Sequence, residues 1–466
     1  ARIAQIEARI DTEDSMSFGL DLQSLAALIG DSHTTTNLNS ILSSGHMFPV
    51  SVKWMDGDWV LYQVDASHQG ALGQQVTSVN GFSMDQVQEK MAPLISADNE
   101  IKLRRQLSQV FGHQEIMVYC GLLKPEEDLT LTLENGTSIT LSPLSMQDQS
   151  GWPEINGLSQ QRQGSAPTDY QKGTYYFSLP LDSRTYYIQY NQCMEDPELP
   201  METFTAQVMA DLEQGSYSVL LLDLRNNGGG SDGVIIPLLM ELAPLVRSGE
   251  LELWGLVGEA TFSSAIINAV ELQEMGAVLV GDSTSGSVDH FGSVGSFRLP
   301  NSGFSVGVST KYINLGTILD ADAGRGVVPL EPDLSVPQTM ADTLSGKDSA
   351  VEWLLAHPEK LSQKDFPDAP LTRGRFLGQL YGASGQPAAS WDAPPFTDLL
   401  GIEWYFHPIN WAYQCGIAKG SADGSFAAAR GLTWQEAAEV VKLRSRQYAK
   451  RQLTWFRRDP EICWFR

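Results

Sequence analysis

Cations are scarce in this sequence: Lys and Arg number 31 against 56 Asp and Glu among 466 residues, a formal net charge of −25. Nucleic acid and anionic membrane surfaces are recognised by clustered Lys and Arg, so neither is expected as a partner. No apolar run approaches the roughly 18–20 residues needed to cross a bilayer as a helix, so no transmembrane segment is expected. The chain opens Ala1-Arg2-Ile3, without Met or a charged-then-apolar leader, so any export signal would have preceded this numbering. Cysteine is sparse as well. Cys120, Cys193, Cys415 and Cys463 are too few and too scattered for a disulfide framework, and no CxxC pair suggests zinc. Cys120 and Cys193 lie in apolar text and read as core thiols; Cys415 and Cys463 remain as two that could pair. A phosphate loop of the form GxxxxGK followed by Ser or Thr is missing, and Gly228, Gly230 and Gly233 fit GxGxxG only as any Gly run would. Neither metal nor cofactor is expected.

One stretch organises the rest. Residues 219–233 read VLLLDLRNNGGGSDG. The first half is an apolar run with the length and branching of a strand buried on both faces, as in the parallel sheet of an α/β core. The second half is turn chemistry. Gly228-Gly229-Gly230 lacks a β-carbon at three successive positions, so the backbone can take positive φ and turn N–H groups toward the strand's carboxyl end. Open α/β sheets put their ligands at that edge, although a plain strand-to-helix turn would use the same residues.

Residues 3–29 carry apolar positions at helical spacing, notably Leu22, Leu25, Ala26 and Ile29, and Gly30 ends the pattern. Asp31-Ser32-His33-Thr34 follows. From residue 48 to about 144 the text changes to short alternating segments, with Asp56-Gly57 as a hairpin signal between 50–54 and 59–64. Residues 147–171 are rich in Ser, Gln, Gly and Pro and read as a linker or long surface loop. Strand, helix, strand over 186–191, 204–212 and 219–224 is the order a right-handed crossover needs. Further strands are expected at 251–257 and 278–281. Between them Thr261-Phe262-Ser263-Ser264-Ala265 opens a helix, where a small polar residue is either an N-cap or a nucleophile placed among free N–H groups.

These motifs together are identified as those of the tail-specific, or C-terminal processing, serine peptidase family: 223–229 resembles its DLRxNxGG segment and 30–34 (GDSHT) the His motif of its tricorn-like branch. Residues 72–81 resemble the PDZ-type insert of that family, and Gly324-Arg325-Gly326-Val327-Val328-Pro329 its closing motif. Residues 371–376 and 395–436 resemble an S-layer homology module. The resemblance implies an α/β, crotonase-like core with a parallel sheet, divided as a helical segment with the His motif (1–46), a β-rich PDZ-like insert (47–146), the peptidase core (173–350) and a small helical S-layer homology module (368–450). It further implies a secreted or cell-surface endopeptidase acting through an acyl-enzyme on protein or peptide. Ser264 would be the nucleophile, with Ser263 the near alternative, and His33, preceded by Ser32, the general base. Gly229 and Ala265 would supply oxyanion N–H groups. Relatives with a Ser-Lys pair carry Lys where Ser287 stands, which favours the His variant. The acid behind His33 would be Asp322, with Asp320 and Glu331 as the others in range. Arg373, in Leu371-Thr372-Arg373-Gly374, would hold cell-wall polysaccharide. The competing reading is a catalytically inactive surface protein that uses the fold and the C-terminal module for adhesion.

Overall fold

The structure, a computed structural model, describes residues 2–315, 327–357, 373–383, 396–397, 399, 406–421 and 424–428. The chain divides into two compact units, Ala1–Leu315 with Arg325–Asp365 and Gly316–Gly324 with Phe366–Arg466. The expected segments 1–46 and 47–146 fall in the first unit, as does 173–350 apart from 316–324, and 368–450 falls in the second.

The expected N-terminal helix is broken in two, Arg2–Glu7 and Ser15–Ala27 (α1). The break lies at Asp11-Thr12-Glu13-Asp14, where Asp14 caps α1 by accepting from the Ser17 N–H at 2.7 Å. Short polar side chains compete for backbone donors and so favour a cap over helix interior. Asp21 of α1 is fully buried and meets Arg2 at 2.8 Å and Arg9, which pins the first helix onto the second.

Val50–Met55 (β1) and Asp58–Asp65 (β2) form the expected hairpin, with Asp56 at φ 52° and Gly57 at φ 93°. Two positive φ values in succession match the right-handed strand twist, which is why Asp-Gly suits the turn. A separate antiparallel sheet contains Val76–Val79 (β3), Phe82–Ser83 (β4), Leu129–Leu133 (β5) and Ser138–Leu141 (β6). Helices Met84–Met91 (α2) and Glu100–Val110 (α3) accompany it, so this region is mixed rather than chiefly β. Leu20, Leu42, Phe48, Leu61, Leu107 and Leu131 belong to one hydrophobic core, joining α1 to this region without a break. The expected linker is not wholly irregular: Ile155–Gly157 pairs with β2.

The main sheet has six strands. Tyr176–Pro180 (β7) pairs antiparallel with Thr185–Tyr190 (β8), and Val219–Asp223 (β9), Glu252–Val257 (β10) and Val278–Gly281 (β11) continue it in parallel. Beyond the long hairpin Asp289–Arg298 (β12) and Ser305–Asn314 (β13), Leu334–Ser335 (β14) closes the sheet beside β11. Crossovers run through Met201–Gln214 (α4), Ile236–Ser248 (α5) and Ser264–Glu274 (α6). Every residue of β9 is buried, as its unbroken apolar run requires of a central strand covered on both faces. Ser349–Ala356 (α7) packs Ala350, Val351 and Leu354 against Tyr187, Leu221 and Trp254 on one face. Each such fully buried Leu contributes about 2 kcal/mol of burial. In the second unit, Arg373–Ala383 (α8) and Phe406–Gln414 (α9) share a core of Leu377, Phe396, Ile409, Trp411 and Phe426. None of the described helices is long and apolar enough to cross a membrane.

Candidate active site

The glycine loop leaves the carboxyl end of β9 and is locked before it reaches the site. Arg225 donates to Asp223 and, at 2.7 Å through each of two nitrogens, to Asp348 at the N-cap of α7. Tyr187 donates to Asp223 at 2.7 Å and Thr168 to Asp348 at 2.7 Å. Burial works to raise the Asp348 carboxyl, but the Arg225 guanidinium overrides it and holds the group below its ordinary value. Asn227, fully buried, donates to Tyr190 O at 3.0 Å and accepts the Gly229 N–H at 2.9 Å. Its carbonyl takes the Phe262 N–H at 3.0 Å, which ties the glycine loop to the loop ahead of α6. Gly229 has φ 99°, and a β-carbon there would come within 2.7 Å of Ser263 Cβ. Only glycine allows that approach.

Ser263 stands at the N-cap of α6 with φ 55° and ψ −127°, outside the conformations L-residues favour. Such strain persists only where the surroundings impose it, and it concentrates at functional positions. Thr261 supplies part of that constraint: its hydroxyl donates to Leu224 O at 2.9 Å and accepts the Gly258 N–H at 3.1 Å. The result turns the Ser263 hydroxyl toward His33, whose Nε2 lies 2.9 Å from Ser263 Oγ. Ser264 is placed differently. It is buried, and its Oγ donates to Gly230 O at 2.9 Å.

His33 is delivered by the turn after α1. Asp31 accepts the N–H groups of His33 and Thr34 at 2.7 and 2.6 Å and the Ser309 hydroxyl at 3.0 Å, while Thr35-Thr36 pairs with Gly307 and Val306 of β13. The imidazole stacks on Phe262, centroids 4.5 Å apart, and on His290 at 5.6 Å. Burial, then the neighbouring His290 and Lys102, lower its pKa from 6.5 to about 4, so the ring is neutral at ordinary pH. Among the described residues His33 Nδ1 is buried without a well-formed hydrogen bond, although the Phe291 backbone lies close enough to favour the protonated ring. Of the expected acids, Glu331 accepts from the Ser283 hydroxyl instead, while Asp320 and Asp322 lie outside the described residues.

Two expected oxyanion donors are committed elsewhere. The Gly229 N–H goes to Asn227, and the Ala265 N–H to Phe262 O at 3.1 Å. Among the described residues the N–H of Ser264, first in α6, meets no acceptor. Ser32 is buried and its Oγ accepts the Asp98 N–H at 3.1 Å, which anchors the His motif to the loop before α3. Ser287, where relatives carry Lys, donates to Asp98 Oδ1 at 2.9 Å.

Sequence reasoning missed two neighbours. His290 holds Ser287 O through Nδ1 at 2.9 Å, and its buried Nε2 has no partner among the described residues. Lys102 of α3 places Nζ 3.6 Å from the Phe262 ring centroid. Neither sits in a local pattern, because both reach the site from distant elements. A cleft of about 590 Å³ lies beside the β1–β2 turn, but its Asp56, Asp58 and Glu134 would repel the carboxylate that a PDZ-type groove would hold. In the second unit Arg373 donates to Lys419 O at 2.9 Å and to Phe426 O, and its guanidinium lies over the Phe426 ring. These contacts bind the start of α8 to the segment that follows α9. Among the described residues no three His, Cys, Asp or Glu side chains form a metal-binding group. Cys120 and Cys193 are free thiols that burial pushes up to about 12; Cys463 lies outside the described residues.

A family model described as IPP transferase matches residues 421–459. This segment includes 432–436, read above as part of the S-layer homology module, and most of it lies outside the described residues. The sequence is similar to the tRNA dimethylallyltransferase of Carboxydothermus hydrogenoformans, 59% identical over 34 residues, which is 7% of this chain and 11% of that protein. It is likewise similar to that of Geobacter metallireducens, 66% identical over 29 residues, 6% of this chain and 9% of that one. The chain thus spans about a tenth of the length of these curated relatives. Among solved structures it is similar to mature CPAF complexed with lactacystin, with 14% identity over 78% of this chain and 91% of that one, TM-score 0.49. The photosystem II D1 C-terminal processing protease follows with 14% identity, 71% and 85% coverage and TM-score 0.33, and the tricorn protease with 14%, 69% and 29% and TM-score 0.27.

Proposed function

We propose that this chain is a serine peptidase in which Ser263, rather than Ser264, is the nucleophile and His33 the general base. The observation that carries the reading is the 2.9 Å approach of His33 Nε2 to Ser263 Oγ, made between residues 230 positions apart and at a strained serine. Ser263 Oγ would attack a peptide carbonyl as its proton passes to neutral His33 Nε2; the imidazolium would then protonate the leaving amine, and water would release the acyl group by the reverse transfers. The Ser264 N–H would receive the developing oxyanion at the start of α6, a contribution of roughly 10²–10³ in rate for one such donor. The family resemblance gives Asp322, which lies outside the described residues, the role of the acid behind His33. Secretion, a peptide-gripping role for the insert and polysaccharide binding at Arg373 rest on resemblance alone; the internal contacts of Arg373 favour a structural role for it.

The test is labelling of the full chain with a fluorophosphonate. Ser263→Ala is expected to abolish labelling, and Ser264→Ala to retain it with some loss of stability from the missing bond to Gly230. Absence of labelling in folded protein between about pH 5 and 9, the range over which an imidazole so placed is neutral, would leave the adhesion reading instead.

A further inference from the structure

Three cations gather beside the loop that delivers Ser263, in a chain with few to spare. Lys102 and Arg105 are one turn apart on α3, and Lys53 lies on β1. Lys53 is satisfied: its Nζ meets Glu259 at 2.7 Å. Lys102 and Arg105 are not. Among the described residues neither has a carboxylate within ion-pair reach; Asp98, which acts on Lys102 from nearby, already accepts from Ser287, and Glu259, which acts on Arg105, is paired with Lys53. Lys102 Nζ rests instead on Phe262, the ring that touches His33 and immediately precedes Ser263. Burial and then the nearby Arg105 lower the pKa of Lys102 to about 8, and burial lowers that of Arg105 against the attraction of Glu259. Cations that give up water without gaining a counter-charge are costly in the free protein. A ligand that brings a carboxylate to them relieves that cost, and Arg and Lys are the usual partners for one.

We propose that Lys102, supported by Arg105, forms an anion subsite that receives a substrate carboxylate next to the scissile bond, so that this site prefers acidic peptides. The inference rests on the peptidase reading above. The carboxylate comes either from an internal Asp or Glu side chain or from the free end of the peptide, and both offer the same two oxygens.

The experiment uses the full chain and internally quenched peptide pools, matched in every position except that Glu is replaced by Gln at one position in turn, each made as C-terminal acid and amide. Wild type is expected to cleave the Glu form about tenfold more efficiently than the Gln form near the cut, through a lower KM, as one charge-assisted contact would give. A preference that follows the C-terminal acid, with Glu and Gln equal, assigns the subsite to the peptide end. Lys102→Met is expected to remove the preference and Lys102→Arg to restore it. Equal cleavage of all four forms by wild type, or a preference unchanged in Lys102→Met, overturns the proposal. Fluorophosphonate labelling of wild-type Ser263 separates the two failures: labelling without acid preference sinks the subsite alone, whereas no labelling sinks the peptidase reading and the subsite with it.

Discussion

His33 sets what the site can do at each pH. An exposed histidine titrates near 6.5, but burial and the charges of His290 and Lys102 hold His33 at about 4. The neutral ring is the form that accepts a proton, so the rate of fluorophosphonate labelling should be flat from about pH 5 upward and fall only as pH drops through about 4. An acid limb centred near 6.5 would contradict the desolvated placement of the ring. Removing a neighbouring positive charge eases protonation, so Lys102→Met should move the limb upward. Stability changes in the same direction. His33, His113 and His290 all have lowered values in the folded chain, mainly through burial, so below about 6.5 the unfolded chain binds protons that the folded one refuses. Their contribution is therefore present above 6.5 and is lost as pH falls toward the folded values. Circular dichroism at each pH separates unfolding from titration. The proposed nucleophile was legible only to within one position. The string Thr-Phe-Ser-Ser-Ala marks a helix start, but which serine turns outward depends on the φ of 55° at Ser263, imposed by Gly229 and Thr261 from other segments.

At the level of elements, the motif around β9 divides into two tasks. Gly229 and Asn227 shape the loop, whereas Asp223 and Arg225 lock the strand's end to the N-cap of α7. Arg225 is the shared cation between two buried carboxylates, so Arg225→Met would leave Asp223 and Asp348 facing each other without it. Removing one partner of a buried ion pair typically costs 3–5 kcal/mol. Arg225→Met should therefore lower the urea midpoint by that equivalent; a change under about 1 kcal/mol would mean that water reaches the pair and replaces the cation. The parallel strands were readable because β9, β10 and β11 are short, mainly apolar runs, and the β1–β2 hairpin because Asp-Gly suits its turn. The arrival of α3 at the site was not readable. Lys102 lies on an amphipathic helix whose sequence explains only its own packing, and its contact with Phe262 reaches from within the insert to a segment far along the chain.

For the whole molecule, the distribution of cores decides which parts the proposed chemistry needs. His33, Ser263, Ser264, Gly229, Lys102 and the Asp223–Arg225–Asp348 lock all belong to the unit Ala1–Leu315 with Arg325–Asp365. The core beneath β1 and β2 and the core between the main sheet and α7 are closed within that unit, while Leu377, Phe396, Ile409 and Trp411 form a core of their own in the other. A hydrophobic core closed within its own unit is what lets a domain fold alone. A chain ending after Asp365 should therefore unfold cooperatively and keep fluorophosphonate labelling at Ser263, although it lacks the segment that matches IPP transferase and Arg373. The measurement is a urea titration followed by labelling of the shortened chain beside the full one. Folded protein with lost labelling would place part of the site's constraint in residues 366–466. Failure to fold would show that the two units share more than their separate cores imply. Retained labelling would restrict the proposed catalysis to residues 1–365 and leave residues 366–466 to some other task.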